Sequence, residues 1–104
     1  MKFHHIGIPT KDSHEGEEYM ADGKLYYTDP QASEFKIEWL RFDDDSPMPK
    51  ELQENTHAAF MVDDIQAAIE GKNVLIEPFE VFPGLTIAFI MEDTAPIELM
   101  QETA

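Results

Sequence analysis

The chain contains no cysteine, only 7 Lys and Arg against 22 Asp and Glu, and no long apolar run in its 104 residues. Without cysteine there is no disulfide scaffold, zinc ribbon or thiol catalysis. A formal net charge of −15 repels phosphates, which argues against nucleic acid and against anionic membrane surfaces as partners. No stretch approaches the ~18 uninterrupted apolar residues of a membrane span. The start, MKFHHIGIPT, has neither the apolar core nor the small-residue cleavage site of a signal peptide. The expectation is a soluble, cytoplasmic protein. A Gly-x-Ser-x-Gly elbow, a phosphate loop and a dinucleotide glycine fingerprint are all missing from the sequence.

What is present suits a globular fold. Hydrophobic residues make up 42% of the chain and aromatics 11%, too many for intrinsic disorder. The length predicts a single domain over residues 1–104. Lys2 to Ile8 reads as a strand stopped by Pro9. Gly16 to Ala21 reads as a short helix, Lys24 to Thr28 as a strand, and Phe35 to Phe42 as a strand with regular alternation. Residues 43–56, with three consecutive aspartates, Pro47 and Pro49, read as a polar surface connection. Their spacing does not match a calcium-binding loop. After it come a strand over His57 to Val62 and a helix with Ile65, Ala68 and Ile69 on one face. Asp63 and Asp64 sit at its amino end and Gly71 at its carboxyl end. Strands follow over Val74 to Val81, Leu85 to Met91 and Ile97 to Gln101, divided by turns at Pro83-Gly84 and at residues 93–96.

The two halves repeat a detail. Each opens with a histidine-bearing strand (His5, His57) and closes with a glutamate between isoleucine and a large apolar residue (Ile37-Glu38-Trp39, Ile97-Glu98-Leu99). The separations are 33 and 41 residues, so the first half is shorter. Alternation puts His5 with Phe3 and Gly7, and His57 with Ala59 and Met61. It likewise puts Glu38 with Leu40, and Glu98 with Met100. Each half thus has one apolar face suited to lie under a helix, and another face carrying ionisable groups. Such groups inside a sheet are costly unless paired or metal-bound. Two imidazoles and two carboxylates form an N₂O₂ set suited to a borderline divalent ion. His4 is the rival of His5. His14 is expected in solvent and Trp39 in the core. Met61, Met91 and Met100 are expected as core or pocket-wall fillers.

The stretches His5-Ile6-Gly7-Ile8, 56–65 (THAAFMVDDI) and 96–101 (PIELMQ) resemble the vicinal oxygen chelate superfamily, the glyoxalase, bleomycin-resistance and extradiol dioxygenase group. The resemblance covers the first strand and nearly the whole second half. It implies an α+β fold of paired βαβββ modules that form a curled mixed sheet around a cleft, the first module shortened. Module one would span about 1–42, a linker 43–56 and module two 57–102. The resemblance also implies metal ligands His5, Glu38, His57 and Glu98 for one divalent ion, Zn, Ni, Fe or Mn. The expected activity is that of a glyoxalase-like isomerase, epimerase or lyase. The metal would bind adjacent oxygens of a small substrate and stabilise an enediolate. Glu98 would be the general base and Glu38 its catalytic partner. The few cations argue against a glutathione or coenzyme A substrate and for a smaller or neutral one. The alternative is a bleomycin-resistance-type protein that sequesters a cationic small molecule without catalysis, which the negative charge would favour. The family also leads one to expect a homodimer.

Overall fold

The computed structural model describes residues 1–103. Its chain contacts divide into two compact units, residues 5–56 and residues 1–4 with 57 onward, called here the first and second modules. The fold is α+β and each module has a mixed sheet.

The second module runs β5 (His57–Met61), α2 (Ile65–Ile69), β6 (Asn73–Phe82), β7 (Leu85–Glu92) and β8 (Ala95–Glu102), which is the βαβββ order expected. Its spatial order is β5-β8-β7-β6. β5 pairs with β8 in parallel, and β8, β7 and β6 form an antiparallel meander. Helix α2 is started by Asp64, whose carboxylate accepts from the amides of Gln66 and Ala67. It ends where Gly71 takes φ +74°, a conformation cheap only for glycine. The helix lays Ile65 on Ala88, Ile90 and Leu99, with Phe60, Val62, Ala68, Ile69, Val74 and Ile97 around them. This packing uses the Ile97 and Leu99 face of β8 and leaves the Glu98 face to the other side. Strand β6 tolerates Pro78 and three register shifts against β7. It lies last in the module's strand order, where a missing amide donor costs no ladder bond. Pro83 and Gly84, the latter at φ +84°, close the β6–β7 hairpin between Phe82 and Leu85.

The first module has the same strand order with its helix missing. It comprises β1 (Lys2–Pro9, from His5 onward), β2 (Glu18–Met20), β3 (Leu25–Tyr27), β4 (Ile37–Phe42) and α1 (Lys50–Glu54). The order is β2-β3-β4-β1, with β1 and β4 parallel and the rest antiparallel. The helix expected over residues 16–21 is instead β2. That segment has Gly16 at φ +84° and too few apolar residues to hold a helix face, while Tyr19 gains a partner by pairing with Tyr26. The sheet face where a helix would lie is covered by the loop over residues 10–17. His14 stacks on Trp39, centroids 4.6 Å apart and planes within 11°, so His14 is half-buried rather than bathed in solvent. Glu17 takes a two-pronged bond from Arg41 at 3.0 and 2.7 Å, and Arg41 lies 4.1 Å over the Tyr26 ring. The connection after β4 is also more structured than its acidity suggests. It contains α1, whose Leu52 is only 3% exposed.

Two predictions follow from this packing. Leu99→Ala should lower unfolding free energy by about 2–5 kcal/mol, because the rigid sheet closes poorly on the cavity; urea denaturation measures it. The Arg41 guanidinium holds the Glu17 carboxyl below its usual range, with burial opposing. That bond therefore contributes stability above the unfolded carboxyl's pKa, and the contribution is lost as pH falls through the lowered folded value. Carbon-detected NMR titration of Arg41→Gln should show the Glu17 midpoint rising.

Candidate functional site

In the second module, the parallel pairing of β5 and β8 sets Ala59 opposite Glu98. His57 stands two residues before Ala59, on the same face. Its Nε2 lies 3.1 Å from Glu98 Oε1. With the carboxylate ionised, the imidazole nitrogen donates this bond. The side chains are 2% and 8% exposed. Ala59, with no exposed surface, offers only a methyl group opposite the glutamate, so the carboxylate leans across toward the histidine. On the other flank, Phe89 of β7 is directly opposite Glu98. Its ring meets the His57 ring edge to face, centroids 5.1 Å apart at 83°, an arrangement favoured by the ring quadrupoles. His57 and Glu98 thus sit in a walled recess of the sheet.

The first module repeats the construction. Parallel pairing of β1 and β4 sets Gly7 opposite Glu38, and His5 stands two residues before Gly7. The offset matches that of His57, Ala59 and Glu98, and the residue facing the glutamate is again small. His5 Nε2 lies 3.4 Å from Glu38 Oε1, with side chains 3% and 18% exposed. The flank differs here. β3 stops at Tyr27, which pairs with Leu40, so no strand residue faces Glu38 as Phe89 faces Glu98. Tyr27 lies diagonally on that face. Its phenol is pushed up, first by burial and then by the charges of Glu18 and Glu38.

Each module therefore joins its own expected pair, His5 with Glu38 and His57 with Glu98. Glu38 is carried by β4, the last strand of the first module's sheet, despite that module's shortened length. His4 is half-buried and lines a different recess of about 440 Å³ with Lys2, Phe3, Met61, Leu85 and Met100, among others. Met61 and Met100 are wall residues there, and Met100 is 5% exposed. Two site residues escaped the sequence reading, Phe89 and Tyr27. The signal for Phe89 was available. A two-residue turn at Asp93-Thr94 pairs Glu92 with Ala95, and counting back along the hairpin brings Phe89 to Glu98.

No family model matches the chain, and no curated protein does. Solved structures do. A hypothetical protein from Bacillus halodurans C-125 aligns over 99% of this chain and 95% of its own, at 17% identity and TM-score 0.66. Methylmalonyl-CoA epimerase from Mycobacterium tuberculosis aligns over 99% and 89%, at 19% identity and TM-score 0.67. A glyoxalase/bleomycin resistance protein/dioxygenase superfamily member from Vibrio splendidus 12B01 aligns over 94% and 96%, at 11% identity and TM-score 0.51. The chain has the vicinal oxygen chelate fold. At these identities the likeness speaks for the fold alone. Among the described residues, no helix is long and apolar enough to cross a membrane.

The small residue opposite each glutamate is open to test. Ala59→Val adds two methyl groups where no exposed surface remains and where the Glu98 carboxylate crosses. Overpacking should cost about 1–3 kcal/mol, read by urea denaturation. Ala58→Val, on the neighbouring half-buried position, should cost less.

Proposed function

We propose that this protein is a metal-dependent, glyoxalase-like enzyme whose single divalent ion is held by His5, Glu38, His57 and Glu98. The observation that carries this reading is the repeated pair. Twice, a buried histidine on a module's first strand meets a glutamate on its parallel last strand at the same offset. Drawing two carboxylates out of water, Glu98 almost wholly and Glu38 in large part, is expensive. A sequence that meets this cost twice at matched positions has a use for the groups. The donor set fits an ion. Two imidazole nitrogens and two carboxylate oxygens balance a 2+ charge and suit Zn, Ni, Fe or Mn. The side chains are held by sheet registry, so little order would be lost on binding.

When bound, such an ion supplies Lewis-acid polarisation of a substrate oxygen next to the reacting carbon. The protein's own residues do the rest. Glu38 and Glu98 are the carboxylates placed to take and return a proton at that carbon. His5 and His57 fix them by hydrogen bonding or ion pairing, and Phe89 excludes water from the Glu98 side. The seven cations of the chain favour a small or neutral substrate with adjacent oxygens over one carrying several phosphates. The net charge of −15 supports a second reading, a binding protein that draws in cationic small molecules by electrostatic steering.

The test is metal content. The chain purified without chelator, or reconstituted with Zn, Ni, Mn or Fe(II), should carry about one equivalent per chain, measured by plasma mass spectrometry. His57→Ala should lose it and keep its circular dichroism, because α2 packs on the opposite face. The loaded protein should exchange deuterium into the carbon-bound hydrogen of a small 2-hydroxycarbonyl compound. If no ion is retained under any loading, the enzyme reading fails; binding of a cationic aromatic compound would then establish the second.

A further inference from the structure

The face of the second module that carries His57 and Glu98 continues beyond them. Met61 pairs with Met100 two residues after Ala59 pairs with Glu98, which is roughly 7 Å further along the strands. Strand alternation keeps both methionines on the glutamate's face. On the flank of β8, β7 sets Ile87 against Met100 and Leu85 against Glu102, and β6 sets Phe82 against Leu85. An apolar strip therefore leads away from the pair. It opens into the recess of about 440 Å³, whose walls include Met61, Leu85 and Met100 together with Lys2, His4 and Glu102. That is room for a small molecule, since such sites commonly enclose roughly 300–1,000 Å³. Met100 is 5% exposed and Met61 and Leu85 are half-buried, whereas Lys2 and Glu102 are exposed. The floor is thus apolar and the rim polar. With His4 neutral, the charges of Lys2 and Glu102 cancel, so the rim offers neither an anion nor a cation a net attraction.

We infer that this recess binds the uncharged, flexible apolar chain of a small molecule whose oxygen-bearing head sits at the His57–Glu98 pair. The place of the head rests on the function proposed above; the recess itself does not. Two methionines and a leucine are unbranched or flexible enough to close around an alkyl chain in more than one rotamer. A charged chain would lose its hydration on that floor and gain no partner of opposite net charge at the rim. The protein's overall charge of −15 would further repel an anionic one. The Phe82 ring, 43% exposed, stands beside Leu85 and extends the apolar wall for a longer chain. The substrate class is thereby narrowed from a small neutral compound to a neutral one with an alkyl tail.

The experiment titrates the full chain, with its methionine methyl groups labelled for NMR, with straight-chain α-hydroxyketones from hydroxyacetone up to the hexyl homologue. It is run on the chelator-treated protein and on protein loaded with Co²⁺. The Met61 and Met100 methyl signals should move, while those of Met20 and Met48 in the first module stay in place. Affinity should rise about three- to fourfold per added methylene in both forms. Leu85→Gln, checked for folding by circular dichroism, should reduce that gain to less than about twofold and leave Co²⁺ affinity unchanged. Should this variant not fold, the series on the unsubstituted chain decides alone. Affinity that stays flat along the series, movement of the first-module methionines instead, or an undiminished gain in folded Leu85→Gln would overturn the inference and leave the metal site standing. A chain that binds no Co²⁺ yet shows the chain-length gain at Met61 and Met100 would overturn the metal reading and uphold the recess.

Discussion

A carboxylate placed inside a sheet must be met by something, and in this protein the partner is an imidazole on the adjoining parallel strand. Much of each module follows from satisfying that requirement. Parallel pairing of a first and last strand fixes the diagonal between histidine and glutamate. A glycine or alanine opposite the glutamate keeps the space clear. The apolar residues of the same strands turn to the other face, where in the second module they find α2. Sheet alternation thus separates a dry core from a polar site across one layer of backbone.

The modules solve the problem of their outer faces by different means. The second buries its face under a short, capped helix and gains an apolar cluster. The first, lacking residues for that helix, lays a loop across the strands and holds it with a histidine-tryptophan stack and an arginine fork. A polar clamp of this kind is directional and sensitive to pH and salt, whereas the apolar cluster is not. The first module is therefore expected to be the part whose outer face responds more to solution conditions.

The second module was largely readable in advance. Its turns are marked by Pro83-Gly84 and Asp93-Thr94, its helix by Asp64 and Gly71, and its strands by β-branched and aromatic residues. These local signals agree with one another, as they do wherever propensity and tertiary structure favour the same answer. The first module was readable at its ends and at β3, expected over Lys24 to Thr28 and found over Leu25–Tyr27. Residues 10–36 have mixed signals: Gly16 and a polar run left a weak helix pattern, and the strand β2 exists because Tyr19 can pair with Tyr26 and donate to Asp43 at 2.7 Å. Such long-range gains leave no trace in a local window. The same holds for Leu52, an isolated apolar residue in a polar stretch whose burial depends on what lies next to it.

The sequence by itself determined which ionisable residues share a face inside each sheet. His5, Glu38, His57 and Glu98 stand out through their repeated context, and alternation settles their faces, because a strand's period of two leaves no other choice. Tertiary structure decided how each pair is enclosed. Whether a glutamate is walled by an aromatic ring or left open depends on where a neighbouring strand ends. That end is set by the competition between the ladder hydrogen bonds of β3 with β4 and the turn chemistry of Asp29 and Pro30.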